Sequence, residues 1–271
     1  MATTDGAHEL VLRAAVERSH QIAESLRRLE DDELRRPSEL PEWSRLTIAC
    51  HLRFGAEALA RMTRLTLVGL PAAYYPATRE LQRPRTLVPL SGESPRDVVE
   101  SLATLSEELN RLWSSLDPGA WGWEIIEPQD NLDLGPLPLG SLPLLRLTEV
   151  EVHGTDLGLD LDDWSDVFVR TVLPMRLQWL NVRRANHSSF DTELEGSWLL
   201  VATGGPTYRV SVTGMHVEST PASPATESRA TIETNSRDLL ALLLGRRQLV
   251  PPVVSGDLAF GRSFSLAFPG P

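Results

Sequence analysis

The segment 147–153 carries three side chains that could bind a cation: Glu149, Glu151 and His153. In a strand all three share one face, whereas in a helix Glu149 and His153 are adjacent and Glu151 points away. Either geometry can place a carboxylate and an imidazole on one metal ion, and the β-prone valines favour the strand. The segment alone therefore predicts a cation site of low specificity, with both conformations open.

His51 is the next candidate ligand, because it lies beside the apolar stripe of a predicted helix with Gly55 one turn further on. A small neighbour leaves room around an imidazole, although a buried histidine that is merely hydrogen-bonded is the commoner outcome. The remaining histidines are interpreted as surface or hydrogen-bonded side chains: His8, His20, His187 and His216.

The composition excludes several other types of catalytic or binding site. All 26 basic residues are arginine, which excludes a Schiff-base lysine, a P-loop lysine and a lysine general base. The single cysteine, Cys50, cannot form an internal disulfide or a multi-cysteine zinc site, which indicates a reducing compartment. A nucleophilic cysteine needs a neighbouring base, but on a helix Cys50 and His51 point about 100° apart. A buried, inert thiol is therefore the favoured interpretation of Cys50. Nucleophile-elbow, Walker and strand-borne dinucleotide motifs are absent from the sequence.

The negative charge is concentrated in one part of the chain. The 271 residues carry 37 acidic and 26 basic side chains, a net charge of −11. Residues 117–170 hold 12 of the acidic residues and 2 arginines, so this run alone contributes −10. It is interpreted either as solvated acidic loops or as a cation site. A pI near 5.1 argues against a general nucleic-acid binder.

The chain shows no membrane or export signal. No apolar run approaches the roughly 20 residues of a membrane span, and the first ten residues lack the apolar core of a signal peptide. We therefore expect a cytoplasmic protein without membrane contact. The lysine-free composition with 20 prolines and 18 glycines indicates a GC-rich genome.

Four helices in the first half are predicted to position the candidate side chains. Three are stripes of apolar residues at three- and four-residue spacing, over residues 12–29, 48–62 and 98–116. A fourth segment, capped by Ser141, runs to about Gly154 and carries the candidate Glu149–His153 pair. With long connections between them, the four predict a helical bundle over residues 1–165.

Caps and breakers set the predicted ends of these helices. Ser44 is expected to cap the second helix, and Ser94 followed by Pro95 the third, because a serine hydroxyl accepts from the first free N–H groups. The Pro-rich stretch 71–92 between them is predicted to be irregular.

The chain changes character near residue 190. Residues 166–188 are predicted to form a helix that joins two domains. The segments beyond it predict a hairpin, a strand, a short helix and a β-like tail, over residues 197–212, 230–234, 238–244 and 253–268. We therefore expect a small α+β domain over residues 189–271, and an α+β fold class for the chain.

Two motifs stand out once the elements are placed. Residues 40–52 read LPEWSRLTIACHL, and residues 149–158 read EVEVHGTDLG. They resemble the second-helix opening and the E-V-x-x-H-x-x-D-L-G signature of the mycothiol-dependent maleylpyruvate isomerase family. The resemblance implies a DinB-like four-helix bundle followed by a small α+β C-terminal domain.

The resemblance also implies a metal site. The family's ligands fall on His51, Glu149 and His153, which places 149–153 in a helix and leaves Glu151 a bystander. Asp156 is a candidate for orienting a ligand histidine. Two imidazoles and one carboxylate with open positions are typical of catalytic zinc, so Zn²⁺ or another divalent metal is the implied cofactor.

A functional arginine is implied in the second domain. The family's arginine, in a Gly-Arg motif after a helix, corresponds best to Arg246, with Arg247 as a near-equal alternative. A forked guanidinium suits a carboxylate of the thiol cofactor or the substrate.

The implied chemistry uses an external thiol. The leading hypothesis is an enzyme that activates mycothiol as a metal-bound thiolate and adds or transfers it to a small-molecule electrophile. The first alternative is isomerisation of maleylpyruvate by reversible thiolate addition, and the second is a non-catalytic thiol-binding or regulatory protein. Two departures from the family isomerases favour another substrate: GLPAAYYP at 69–76 in place of a T-P-M-Y-like stretch, and Thr148 in place of an arginine.

Overall fold

The structure, a computed structural model, describes residues 2–131, 135–183, 194–214 and 216–270. The chain divides into two compact units, Met1–Phe168 and Val169–Pro271. The domain boundaries expected at 165 and 188 stay predictions. Residue 188 lies outside the described ranges.

The apolar stripes of the first half form helices. In chain order these are α1 (Ala2–Arg27), α2 (Asp31–Leu34), α3 (Arg45–Leu67), α4 (Arg79–Thr86), α5 (Pro95–Ser114) and α6 (Leu142–Asp156). A two-residue antiparallel ribbon, β1 (Glu124–Ile125) with β2 (Leu137–Pro138), lies between α5 and α6 in sequence.

Four of these helices form the bundle. Both α1 and α3 contact α5 and α6, so the four close into a ring around one core. The three predicted stripes supply that core together with α6, whose Leu147 is buried; the buried side chains of the stripes include Ile22, Leu26, Ile48, Leu52, Val98 and Leu102. The predicted four-helix bundle is confirmed.

Two of the three predicted serine caps are confirmed. Ser44 Oγ accepts from the N–H of Thr47 at 3.0 Å, and Ser94 forms a reciprocal capping box with Asp97. The Ser141 prediction is wrong, because its side chain makes no capping bond. Its backbone has helical angles, φ −82° and ψ −21°, and not the extended angles that a capping side chain needs.

Two segments of the first unit differ from what the local pattern favours. Residues 149–153 are helical within α6, because packing of the helix against α1 and α3 outweighs a weak β propensity. The stretch 71–92 contains α4, which has Pro84 inside it. A proline there removes a helical N–H, so the local sequence gives little sign of a helix.

The second unit contains a mixed five-stranded sheet. Its strands are β3 (Gly196–Thr203), β4 (Thr207–Thr213), β5 (His216–Pro221), β6 (Ala230–Asn235) and β7 (Val253–Gly256). They lie in the order β5-β4-β3-β6-β7, with β3 parallel to β6 and the other neighbours antiparallel. The predicted hairpin and third strand are therefore confirmed, and so is the α+β fold class.

Helices complete the second half of the chain. α7 (Asp166–Arg183) begins before the unit boundary, and α8 (Ser236–Leu244), α9 (Leu258–Arg262) and α10 (Phe264–Ala267) follow. The β-like character expected over 253–268 is wrong beyond β7. Phe260, Phe264 and Phe268 recur every four residues and pack on Trp198, which is the period of a helix. None of the described helices is both long and apolar enough to cross a bilayer.

Candidate metal centre

Two bundle helices bring the three predicted ligands together. α3 carries His51, and α6 carries Glu149 and His153 one turn apart on one face. One potential ligand atom from each residue lies within 4.8 Å of the other two. Glu149 Oε2 is central, at 2.7 Å from His51 Nε2 and 3.6 Å from His153 Nε2.

Asp156 is placed to orient His153. Its Oδ2 lies 2.9 Å from His153 Nδ1, and its side chain is buried at the end of α6. When Nδ1–H donates to this carboxylate, the lone pair is left on Nε2, the nitrogen nearer Glu149. The contact implied by the family motif is present, and the orienting role stays a prediction.

Glu149 is the charged member of the cluster. Burial raises its pKa, but the hydrogen bond with His51 and the electrostatic interactions with His51, His153 and Arg146 outweigh burial and lower the pKa to about 2. The carboxylate is therefore ionised at neutral pH, the form that binds a metal. Its side chain is 40% exposed, against 12% for each imidazole, so the cluster opens to solvent on the Glu149 side.

Trp43 covers the imidazoles. Its ring stacks on His153 at a centroid distance of 5.7 Å and meets His51 edge-on at 5.4 Å. A turn before α3 sets this position: the Trp43 N–H donates to the carbonyl three residues earlier at 3.1 Å, and Glu42 has a φ of +67°. With a proline at the second position, this is a type II turn. Trp43 lies within a family motif, but the sequence does not indicate the ring contacts.

A buried arginine lies one turn before Glu149 on α6. Arg146 is 2% exposed and donates to the Leu52 carbonyl on α3 at 2.8 Å and to Ser106 Oγ on α5 at 3.0 Å. Burial lowers its pKa to about 10, while Tyr74 and Glu149 act in the opposite direction. Sequence reasoning gave Arg146 no role; the available signal was an arginine within the otherwise apolar first turns of α6, residues 142–147.

Cys50 and Glu151 lie outside the cluster. Cys50 is fully buried, which confirms that part of the interpretation, and burial raises the pKa of its thiol to about 11, which disfavours the reactive thiolate. Glu151 is 1% exposed, and its Oε2 lies 3.3 Å from Arg18 Nε on α1. The pair links two helices, in agreement with Glu151 as a bystander to the metal site.

The other described histidines do not join the cluster. His20 and His216 are exposed, and His8 packs against Trp121 at a ring distance of 4.5 Å. His187 lies outside the described residues.

Arg246 and Arg247 follow the left-handed Gly245 that ends α8 in the second unit. The Arg246 N–H donates to the Ala241 carbonyl at 2.8 Å, and its Nη1 donates to the Leu244 carbonyl at 3.1 Å. The functional role expected of one of these arginines stays a prediction.

Asp238 anchors the segment after these arginines. The buried carboxylate accepts from the N–H groups of Leu249 and Val250 at 2.7 and 3.0 Å. Arg237 Nη1 bridges Asp238 to the Arg247 carbonyl, with distances of 2.9 and 3.0 Å. Burial raises the Asp238 pKa, but these donors outweigh it and lower the pKa.

The donor set fits a divalent metal. Two imidazole nitrogens and an ionised carboxylate, with one side open to solvent, are the ligands of a catalytic zinc site. His51 Nδ1 is buried without a hydrogen-bond partner among the described residues, so the ring makes its polar contact through Nε2, toward Glu149. The fold and the cluster together define a helical-bundle protein with a candidate His/Glu/His metal centre.

Comparison with known proteins identifies the family. The model of the Mycothiol maleylpyruvate isomerase N-terminal domain family matches residues 15–158, which include all three clustered residues. The chain therefore belongs to this family, which is a family of enzymes.

Solved structures show the same fold. One is a crystal structure of the mycothiol-dependent maleylpyruvate isomerase, with a TM-score of 0.68, and another is a histidine-to-alanine mutant of it, with a TM-score of 0.69. Each shares 17% identity with this chain, and the alignment covers 92% of both chains. The fold is thus DinB-like. Among curated protein sequences, none matches significantly.

Proposed function

We propose that this protein is a metal-dependent enzyme that ionises mycothiol and adds or transfers it to a small electrophile. The observation that carries the proposal is the His51–Glu149–His153 cluster, with donor atoms within 4.8 Å of one another, in a chain of this family. Zinc is the proposed metal because the donor set and the open side suit it. Cys50 is buried, so the reactive sulfur comes from the thiol cosubstrate.

The residues around the cluster prepare it for a thiol. A divalent metal held there supplies the positive charge that ionises a thiol at neutral pH. Asp156 holds His153 with Nε2 toward Glu149, which stays ionised. Trp43 covers both imidazoles on one side and excludes water there, while the side of Glu149 admits the ligands.

Transfer is the leading reaction, because the stretch 69–76 differs from that of the family isomerases. Isomerisation of maleylpyruvate is the second candidate, and the similar solved structures favour it because they are of a maleylpyruvate isomerase. In both reactions the sulfur bonds to a substrate carbon, and only in isomerisation does that bond break again. Membership of an enzyme family weighs against the non-catalytic alternative.

Arg246 is proposed to bind a carboxylate of the thiol or the electrophile, with Arg247 as the alternative. The support is its position directly after Gly245, which corresponds to the family's Gly-Arg motif. A guanidinium makes paired hydrogen bonds to a carboxylate, so it orients as well as attracts.

Metal content tests the site. Purified wild-type protein is expected to hold stoichiometric zinc by mass spectrometry of the metal, and His153→Ala is expected to lose it, because one of three ligands is gone. His216→Ala, at an exposed position on β5, is the matched control and keeps the metal. Wild-type protein without stoichiometric zinc, with His153→Ala unchanged, would contradict the site.

Product analysis separates the reactions. After incubation with mycothiol and candidate electrophiles, a stable thiol adduct in the mass spectrum indicates transfer. Conversion of maleylpyruvate to fumarylpyruvate with mycothiol unchanged indicates isomerisation. Tight thiol binding without either turnover would instead support the binding-protein alternative.

A further inference from the structure

Tyr74 brings a hydroxyl into the groove between α3 and α6. A Cβ built on Gly55 would lie 3.2 Å from the Tyr74 hydroxyl and 3.6 Å from Arg146 Nη1. The missing side chain at Gly55 therefore lets the Tyr74 hydroxyl approach α3 closely, whereas Arg146 would be only in ordinary contact with an added Cβ. Tyr74 follows α3 in the stretch that departs from the family isomerases.

The hydroxyl lies about one turn from the ligands on both helices. Gly55 follows His51 by four residues on α3, and Arg146 precedes Glu149 by three on α6. One helical turn rises about 5.4 Å, so a small electrophile attacked at the cluster extends as far as this hydroxyl.

Arg146 places a fixed positive charge beside the hydroxyl. The guanidinium is held by the Leu52 carbonyl and Ser106 Oγ, and it interacts electrostatically with Tyr74. A buried cation of this kind stabilises negative charge on an oxygen that accepts a hydrogen bond from the hydroxyl. Donors held in place before the reaction stabilise developing charge without reorganisation.

We propose that the Tyr74 hydroxyl donates a hydrogen bond to the carbonyl oxygen of an electrophile whose carbon–carbon double bond is conjugated to that carbonyl. The inference rests on the proposed function and adds a hydrogen-bond donor to its site. As the thiolate sulfur bonds to the β-carbon, the π electrons of the double bond shift and the carbonyl oxygen takes the negative charge of an enolate. Tyr74, supported by Arg146, stabilises that oxygen.

Both candidate reactions complete from this enolate. In transfer, the α-carbon takes a proton from solvent, and the sulfur stays bonded to the product. In isomerisation, rotation about the new single bond precedes re-formation of the double bond, and the sulfur leaves with its electron pair as thiolate. The proton that the thiol lost on ionisation then returns from solvent when the thiol dissociates.

Tyr74→Phe tests the inference with two electrophiles, because it removes the hydroxyl and keeps the ring. With mycothiol and maleylpyruvate, kcat is expected to fall about 100-fold, the usual cost of losing one such donor, with the KM for mycothiol unchanged. With mycothiol and 4-nitrobenzyl chloride, the sulfur displaces chloride and no oxygen gains charge, so the rate is expected to change less than about twofold. Tyr75→Phe, the neighbouring buried tyrosine, is the matched control and keeps both rates.

Zinc content and the two rates separate the outcomes. Full maleylpyruvate turnover by Tyr74→Phe would overturn the inference, and so would equal loss of both reactions at wild-type zinc content, which indicates a structural effect. Wild-type protein that uses 4-nitrobenzyl chloride but not maleylpyruvate would show that the substrate class is wrong. Wild-type protein that holds no zinc and uses neither electrophile would contradict the proposed function itself.

Discussion

At the residue scale, the contact between His153 and Asp156 is predicted to set which nitrogen of the imidazole carries the lone pair toward Glu149. Asp156 is the last residue of α6, and its buried Oδ2 lies 2.9 Å from His153 Nδ1. A charged acceptor at Nδ1 fixes the tautomer, keeps the lone pair on Nε2 and raises the basicity of the ring. The geometry therefore suits Asp156 to the proposed orienting role beside the candidate cluster, although Asp156 is not one of the three candidate ligands.

Asp156→Asn is expected to weaken zinc binding about 10- to 100-fold, as loss of such an orienting partner does. The amide keeps the shape of the side chain, but it loses the charge and can present N–H groups to Nδ1, which favours the wrong tautomer. Competition titration against a chelating dye measures the change. Asp32→Asn, at a side chain that is 97% exposed, is the control. Equal affinities for Asp156→Asn and the wild type would show that the contact has no orienting role.

The clustering of His51, Glu149 and His153 was predictable from the two motifs, because the family resemblance supplies both their identity and their order. The local pattern alone was not enough, since alternating valines left 149–153 open between strand and helix. Trp43, Tyr74 and Arg146 could not be assigned to the site. Their proximity depends on a type II turn, on the space left by Gly55 and on the register of α3 against α6, and none of these is encoded locally.

At the scale of elements, α1 and α6 approach closely at Gly154. A Cβ there would lie 2.8 Å from Arg18 Nε. The Arg18 side chain cannot move away freely, because it pairs with buried Glu151 at 3.3 Å and donates to the Leu161 carbonyl at 2.7 Å. Gly154 is therefore the residue that lets this buried ion pair form between the two helices.

Gly154→Ala is expected to lower the free energy of unfolding by about 1–3 kcal/mol, because overpacking displaces the Arg18–Glu151 pair. Elsewhere in a helix the same change stabilises by about 1 kcal/mol. Gly6→Ala, where an added Cβ meets nothing within 4 Å, is the matched control in α1. Urea unfolding measures both variants. A stabilised Gly154→Ala protein would contradict the close approach.

Helix positions were largely predictable, because apolar stripes and serine caps act over a few residues. The sheet was less so. The parallel pairing of β3 with β6 joins Trp198 to Ala230 across a long stretch of chain, and local pattern does not specify such partners. The α9–α10 segment was misread because Phe and Val suggest strands, while the four-residue spacing of its phenylalanines is helical.

At the scale of the whole molecule, the acidic residues of the run 117–170 lie in two kinds of environment. Within the described cluster, Glu149 is the acidic ligand candidate, and Asp156 and Glu151 are buried in specific contacts. Other acids of the run, such as Asp117 and Glu124, are exposed. The solvated-loop interpretation therefore holds for these exposed acids, and the cation-site interpretation stays a prediction for Glu149.

All three candidate ligands belong to the first unit, so metal binding is expected to stabilise that unit selectively. At a free zinc concentration 100 times the Kd, the gain is about 2.7 kcal/mol, which slows exchange about 100-fold for amides that exchange through unfolding of this unit. Hydrogen exchange with mass spectrometry is expected to show the protection in peptides of α3 and α6 and not in β3 or β6. His153→Ala removes the zinc dependence. Equal protection of the sheet would show instead that the two units unfold as one.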